Sequence, residues 1–129
     1  MKNIKVIVLL FLFIAVNCAQ DKTPPSTPQN VKTINYELHS DIVWVNNNES
    51  DLSGYRIYKK VGDTFTFQKL QPKEKNYFSV YVGNGANYIY KVSAIDQSGN
   101  ESPLSDELFL SSKQMSENDF LDMIQRAVF

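Results

Sequence analysis

Few side chains in this 129-residue sequence have the type and spacing that chemistry needs. There is one cysteine, Cys18, and one histidine, His39. A lone thiol cannot close an intrachain disulfide, and one Cys with one His cannot build a zinc cluster. His39 has no Ser, Cys or carboxylate at a recognisable motif spacing, so it reads as a surface-loop histidine. The carboxylates Glu49, Asp51, Asp96 and Glu101 flank turns. Glycoside hydrolysis needs two acids facing each other across a sugar ring, whereas acids beside turns are ordinarily turn formers or solvated charges. A calcium loop needs regularly spaced oxygen ligands closed by a bidentate Glu, and Asp51-Leu52-Ser53-Gly54 lacks that pattern. Gly83-Asn84-Gly85 has no helix pattern after it, so it is a turn and not a phosphate cradle. No catalytic residue, metal site or cofactor is therefore expected in this chain, which reads as a non-enzyme. What remains is a set of aromatics. Tyr58, Phe65, Phe67 and Tyr81, with Tyr36, are candidates for a flat outer patch. Sugar rings stack on such a patch, or a following domain packs against it.

These residues must be positioned by a single domain, since 129 residues suffice for one and no more. Apolar residues make up 43% and aromatics 12%, a composition that folds. The net charge is −1, with acids and bases interspersed, so there is no electrostatic footprint for nucleic acid.

The first eighteen residues stand apart. Lys2 and Lys5 precede an apolar run from Val6 to Val16, too short to span a bilayer. This is the pattern of an export signal. The run ends at Ala15-Val16-Asn17-Cys18, which resembles the lipobox of a bacterial lipoprotein, with Asn17 departing from the small residue usual there. The resemblance implies cleavage after residue 17, lipidation of Cys18 and attachment to a membrane through acyl chains. Ala19 rather than Asp after the cysteine favours the outer membrane. Outer membrane or periplasm is the expected location, and secretion is the alternative if the cysteine is incidental.

From Asp21 to Pro28 the chain is a proline-bearing linker. Short β-rich runs and turn clusters then alternate, the pattern of a sandwich. Strands are predicted at Asn30 to Tyr36, Asp41 to Val45, Gly54 to Lys60, Thr64 to Leu70, Tyr77 to Val82, Asn87 to Asp96 and Glu107 to Leu110. Alternation puts Ile42 and Trp44 on one face, and Tyr55 and Ile57 inward with Arg56 and Tyr58 outward. It also places Tyr88, Tyr90, Val92 and Ala94 together. No helical period interrupts Val31 to Leu110.

The ordered set Pro28-Gln29-Asn30-Val31, Trp44, Gly54-Tyr55-Arg56-Ile57-Tyr58-Lys59 and Tyr88 to Asp96 resembles a fibronectin type III domain over about residues 24 to 112. Gly99-Asn100-Glu101-Ser102 is similar to the ending found in bacterial secreted enzymes. The resemblance implies an all-β, seven-stranded, immunoglobulin-like sandwich. Its core would include Trp44, Tyr55, Ile57, Tyr88, Tyr90 and Val92. Tyr88 would be the corner tyrosine, hydrogen-bonded to backbone upstream.

After Ser111-Ser112-Lys113-Gln114 the period changes to 3.6. Ser116 and Asp119 make a capping box, with Met115 and Phe120 as a staple. Phe120, Leu121, Ile124, Ala127 and Val128 form one apolar stripe. A helix of this length is marginal alone, and its stripe needs a partner. The string Ser116 to Phe129 resembles the first helix of a bacterial glucoamylase-like hydrolase family whose members include β-1,2-glucan-degrading enzymes. None of that family's catalytic residues are present.

The expected organisation is a signal at 1–17, a linker at 18–27, the sandwich at 28–111, and at 112–129 a joint with the first helix of a truncated second domain. The expected function is a non-catalytic extracytoplasmic module that anchors or positions a carbohydrate-active hydrolase. Its partners would be a membrane, through the lipid, and an adjacent catalytic domain or a polysaccharide. The alternative is an independent cell-surface lipoprotein that binds a carbohydrate or a protein.

Overall fold

The computed structural model describes residues 19–83, 85–112, 118, 121 and 124–126. Cys18 and the apolar run before it lie outside the described residues, as do Ser116, Asp119, Met115 and Phe120. Seven strands follow in order: β1 Gln29–Asn35, β2 His39–Val45, β3 Leu52–Val61, β4 Thr64–Pro72, β5 Tyr77–Tyr81, β6 Asn87–Asp96 and β7 Leu108–Ser111. They form two antiparallel sheets, of order β1-β2-β5 and β4-β3-β6-β7.

The seven predicted strands are the seven observed, with ends shifted by a residue or two. Turn chemistry sets the ends. Gly62 stands at φ +61 between Val61 and Thr64, supplying the left-handed residue that a two-residue hairpin requires. Asp96 closes the turn after β6 by accepting hydrogen bonds from the Asn100 backbone N–H and its Nδ2, both at 2.8 Å.

The period-two pattern becomes one interior. Ile42 and Trp44 of β2 face Tyr55 and Ile57 of β3 and Tyr90, Val92 and Ala94 of β6, all buried. The larger aliphatic side chains among them each contribute roughly 1.5–3 kcal/mol by leaving water. Two aromatic pairs bridge the sheets. Trp44 meets Tyr55 edge-on at 5.0 Å, and Phe78 meets Tyr90 at 6.2 Å. Gln71 adds a polar tie, its Nε2 donating to the Tyr77 carbonyl where the chain crosses from β4 to β5.

Before β7, the strand pairing of β6 is continued by serines. Pro103 has no N–H, so the segment from Ser102 to Ser105 cannot run as a regular strand. Ser102 Oγ and Ser105 Oγ instead accept from the buried N–H groups of Ala94 and Val92, at 2.9 and 3.0 Å.

Tyr88 departs from its expected role. It lies at the rim of the core, half-buried, with Lys59 Nζ 3.7 Å above its ring. Among the described residues its hydroxyl makes no hydrogen bond. The tyrosine that pins a loop is Tyr55, whose Oη accepts from the Asn47 backbone N–H at 2.8 Å. Tyr55 sits on a central strand directly below the β2–β3 turn, so its reach ends at loop backbone. The ring of Tyr88 is instead engaged by Lys59 on the neighbouring strand.

Candidate functional site

Because Tyr55 and Ile57 point inward, β3 must present Arg56, Tyr58 and Lys60 on the outer face of the four-stranded sheet. The register with β4 sets Phe67 opposite Tyr58 and Phe65 opposite Lys60. Tyr58, Phe65 and Phe67 therefore share this face, and Tyr58 meets Phe67 edge-on at 5.9 Å. Cations lie over the phenylalanines. Lys91 and Lys60 stand 4.8 and 5.8 Å from the Phe65 ring centre, and Arg56 stands 5.6 Å from that of Phe67. These cations share the face with the rings, and Phe67 stays 50% exposed.

Glu101 organises the same face. Its carboxylate accepts from Arg56 Nη1 at 2.8 Å, Tyr58 Oη at 2.5 Å and Ser93 Oγ at 2.5 Å. Burial pushes the Glu101 pKa up, but the Ser93 and Tyr58 hydroxyls and the Arg56 charge outweigh it and hold the group below the ordinary value. A depressed carboxylate stabilises the fold above its unfolded value of 4.5 and loses that contribution as pH falls through the lower folded value. Glu49 is held down in the same direction by the Ser26 N–H. Glu101→Gln should therefore cost about 1.5–3 kcal/mol at neutral pH, the range for hydrogen bonds to a charged group. The gap to wild type should shrink as pH drops below 4.5. Urea melts across that range test this; a gap constant with pH would rule out the ionised network.

Tyr81 does not join these aromatics. It pairs with His39 on the outer face of the other sheet and is 71% exposed. Tyr36 is there too, its ring stacked on His39 at 4.4 Å. The histidine is thus engaged by an aromatic, and among the described residues no carboxylate hydrogen-bonds it.

Two further features escaped sequence reasoning. Asp21, Asp51 and Asp96, from the linker, the β2–β3 turn and the end of β6, bring carboxylate oxygens within 4.8 Å of one another. All-oxygen donors suit a hard cation. Both oxygens of Asp96, however, are already taken by Asn100, and the Asp21 carboxylate accepts from the Thr23 N–H at 3.0 Å. Their separation in sequence, by 30 and 45 residues, hid the grouping. The second is an open groove of about 330 Å³ between the start of β1 and the approach to β7. Its lining includes Thr27, Asn30, Leu104, Ser105 and Asp106, and the Ser105 hydroxyl is committed to the Val92 N–H and the Asp106 carbonyl.

No protein-family model matches the chain. The exo-β-1,2-glucooligosaccharide sophorohydrolase of Parabacteroides distasonis is 34% identical over 97 residues, covering 73% of this chain and 13% of that protein. The crystal structure of a β-1,2-glucanase from the same species superposes with a TM-score of 0.62 at 29% identity, over 82% of this chain and 16% of that one. An Fn3-like protein from Clostridium thermocellum superposes over its whole length and 74% of this chain, with a TM-score of 0.56 at 20% identity. The chain thus spans less than a fifth of each of these two hydrolases and the whole of the Fn3-like protein.

Proposed function

We propose, from the premise that this chain carries a fibronectin type III domain related to those of glycoside hydrolases, that the domain is a non-catalytic module positioning a carbohydrate-active hydrolase outside the cytoplasm. One observation carries the reading. The match to the sophorohydrolase takes in 73% of this chain but only 13% of that enzyme, so the sandwich corresponds to a small part of a large hydrolase. Glu49, Asp96 and Glu101 hydrogen-bond Ser26, Asn100 and Arg56, and His39 is stacked on Tyr36, contacts that suit structural roles.

In this reading Cys18 carries a lipid and the proline-bearing linker holds the sandwich off the membrane. The helical residues after Ser112 begin the hydrolase, of the glucoamylase-like kind. The substrate class would be β-1,2-linked glucan.

The test is made on the polypeptide that the native gene encodes. It should contain a helical domain after Ser112 and release sophorose or glucose from β-1,2-glucan. The chain ending at Phe129 should do neither. Removing 19–112 should leave kcat on a soluble oligosaccharide unchanged while lowering the melting temperature. Turnover by the short chain, or a gene that stops at Phe129, would overturn the proposal.

A further inference from the structure

The two outer faces of the sandwich differ in a way that packing within the domain does not explain. On the four-stranded sheet Phe67, Leu70 and Phe109 are also 50 to 64% exposed, but the β4 aromatics lie under Arg56, Lys60 and Lys91, with Glu101 and Glu107 bridging the cations. On the three-stranded sheet the outward positions include Ile34, Tyr36, Val45, Tyr77 and Tyr81, exposed by 42 to 71%. Leu38, at the tip of the β1–β2 hairpin, is 57% exposed. The strand residues with full charges outward on this face are Lys32 and Asp41. A sheet with one face in water ordinarily alternates apolar-in with polar-out, and a contiguous apolar patch marks an interaction site.

We infer that the outer face of the three-stranded sheet is the seat of the α-helical body joined to the sandwich at Ser112. The inference rests on the reading that such a body follows. The chain leaves the sandwich at the correct end. Ser40 Oγ donates to the Ser111 carbonyl at 3.2 Å, and the Gly85 N–H donates to Ser112 Oγ at 3.2 Å. These bonds hold the exit beside the strand ends that carry His39 and Tyr81. Helical residues are in place again at Asn118, and six residues reach at most about 20 Å. The helix therefore starts within one strand length of the face. It carries Leu121 and Ile124, 56% and 42% exposed and one turn apart, so it too presents uncovered apolar surface. Three strands make a strip about 14 Å wide, which accommodates one helix about 10–12 Å across. The near-neutral strip offers little that would hold a charged ligand, and it suits the apolar face of a helix.

The experiment compares the natively encoded polypeptide with the chain ending at Phe129 by hydrogen–deuterium exchange. The side chains of Val45 and Tyr81 face outward, so the variant Val45→Glu with Tyr81→Glu should fold as wild type does and melt at the same temperature in the short chain. In the long polypeptide, peptides covering 33–45 and 77–82 should gain protection over the short chain, and peptides covering 56–67 should not. The double variant should abolish that gain. Protection appearing on 56–67, or no gain anywhere, would overturn the inference and leave the positioning function standing. A gene with no helical domain after Ser112 would overturn both. Dimerisation of the short chain through this face, or shifts of Tyr36 and Tyr81 resonances on adding sophorose or longer β-1,2-glucooligosaccharides, would assign the face to another occupant and equally overturn it.

Discussion

Replacing Trp44 by alanine should lower the unfolding free energy by about 3–5 kcal/mol, the range for deleting a buried aromatic. The side chain is 3% exposed and touches Tyr55 from the opposite sheet at 5.0 Å. Its loss opens a cavity where the two layers meet, and neither sheet can close it without breaking its own ladder. A domain of this size holds about 5–15 kcal/mol in all, so the variant approaches the edge of folding. Among the described residues Trp44 Nε1 is buried without an acceptor. Trp44→Phe should therefore cost much less, since it discards an unsatisfied donor along with part of the ring. Urea denaturation followed by far-UV circular dichroism measures both; tryptophan fluorescence cannot, because Trp44 is the single tryptophan. Equal losses for the two variants would show that the indole donor is satisfied and that volume is not the main contribution.

The second large effect comes from one methyl group. A Cβ on Gly54 would lie 2.2 Å from the Gln71 carbonyl oxygen and 3.3 Å from its carbon, both backbone of β4. No rotamer change relieves a clash with backbone. β4 must move away from β3 where Gly54 faces Pro72 and Tyr55 faces Gln71. The movement also pulls Gln71 Nε2 from the Tyr77 carbonyl, the polar tie between the sheets. Overpacking typically costs 1–3 kcal/mol, and here a buried hydrogen bond is lost as well, so Gly54→Ala should destabilise by about 3 kcal/mol. Gly83 is the control: its added Cβ meets only the Tyr81 ring, at an ordinary 3.8 Å, and Gly83→Ala should melt near wild type. If Gly54→Ala melts there too, with β4 amides still protected from exchange, the close approach of the two strands is wrong.

Both predictions concern positions that sequence periodicity placed on strands, yet only the Trp44 argument could be made from it. Trp44 was legible because burial alternates along a single strand, and a lone Trp amid apolar-in positions has one sensible direction. That Gly54 must be glycine was not legible, because the atom it would strike belongs to a residue 17 positions later. The same division runs through the surface. Inward and outward assignments on β3 follow from its own alternation, so the outward place of Tyr58 was available beforehand. The company that Tyr58 keeps was not. Phe67 and Glu101 reach it through β4 register and the turn after β6, while Tyr81, grouped with it by residue type, falls on the opposite face.

Local order thus came from the chain itself: seven strands, the turns between them, the absence of a motif for a nucleophile–base pair, and the switch to a helical pattern after Ser112. Those features depend on interactions within a few residues, which composition and period report directly. Tertiary structure alone decided which strands share a sheet, and so which outward side chains meet. It set the cation-bearing aromatics on one face and the near-neutral apolar strip on the other, drew Asp21, Asp51 and Asp96 together, and gave the loop-pinning role to Tyr55 rather than Tyr88. Strand order is set by burying one common interior across contacts dozens of residues apart, and no local pattern encodes the partner across such a distance.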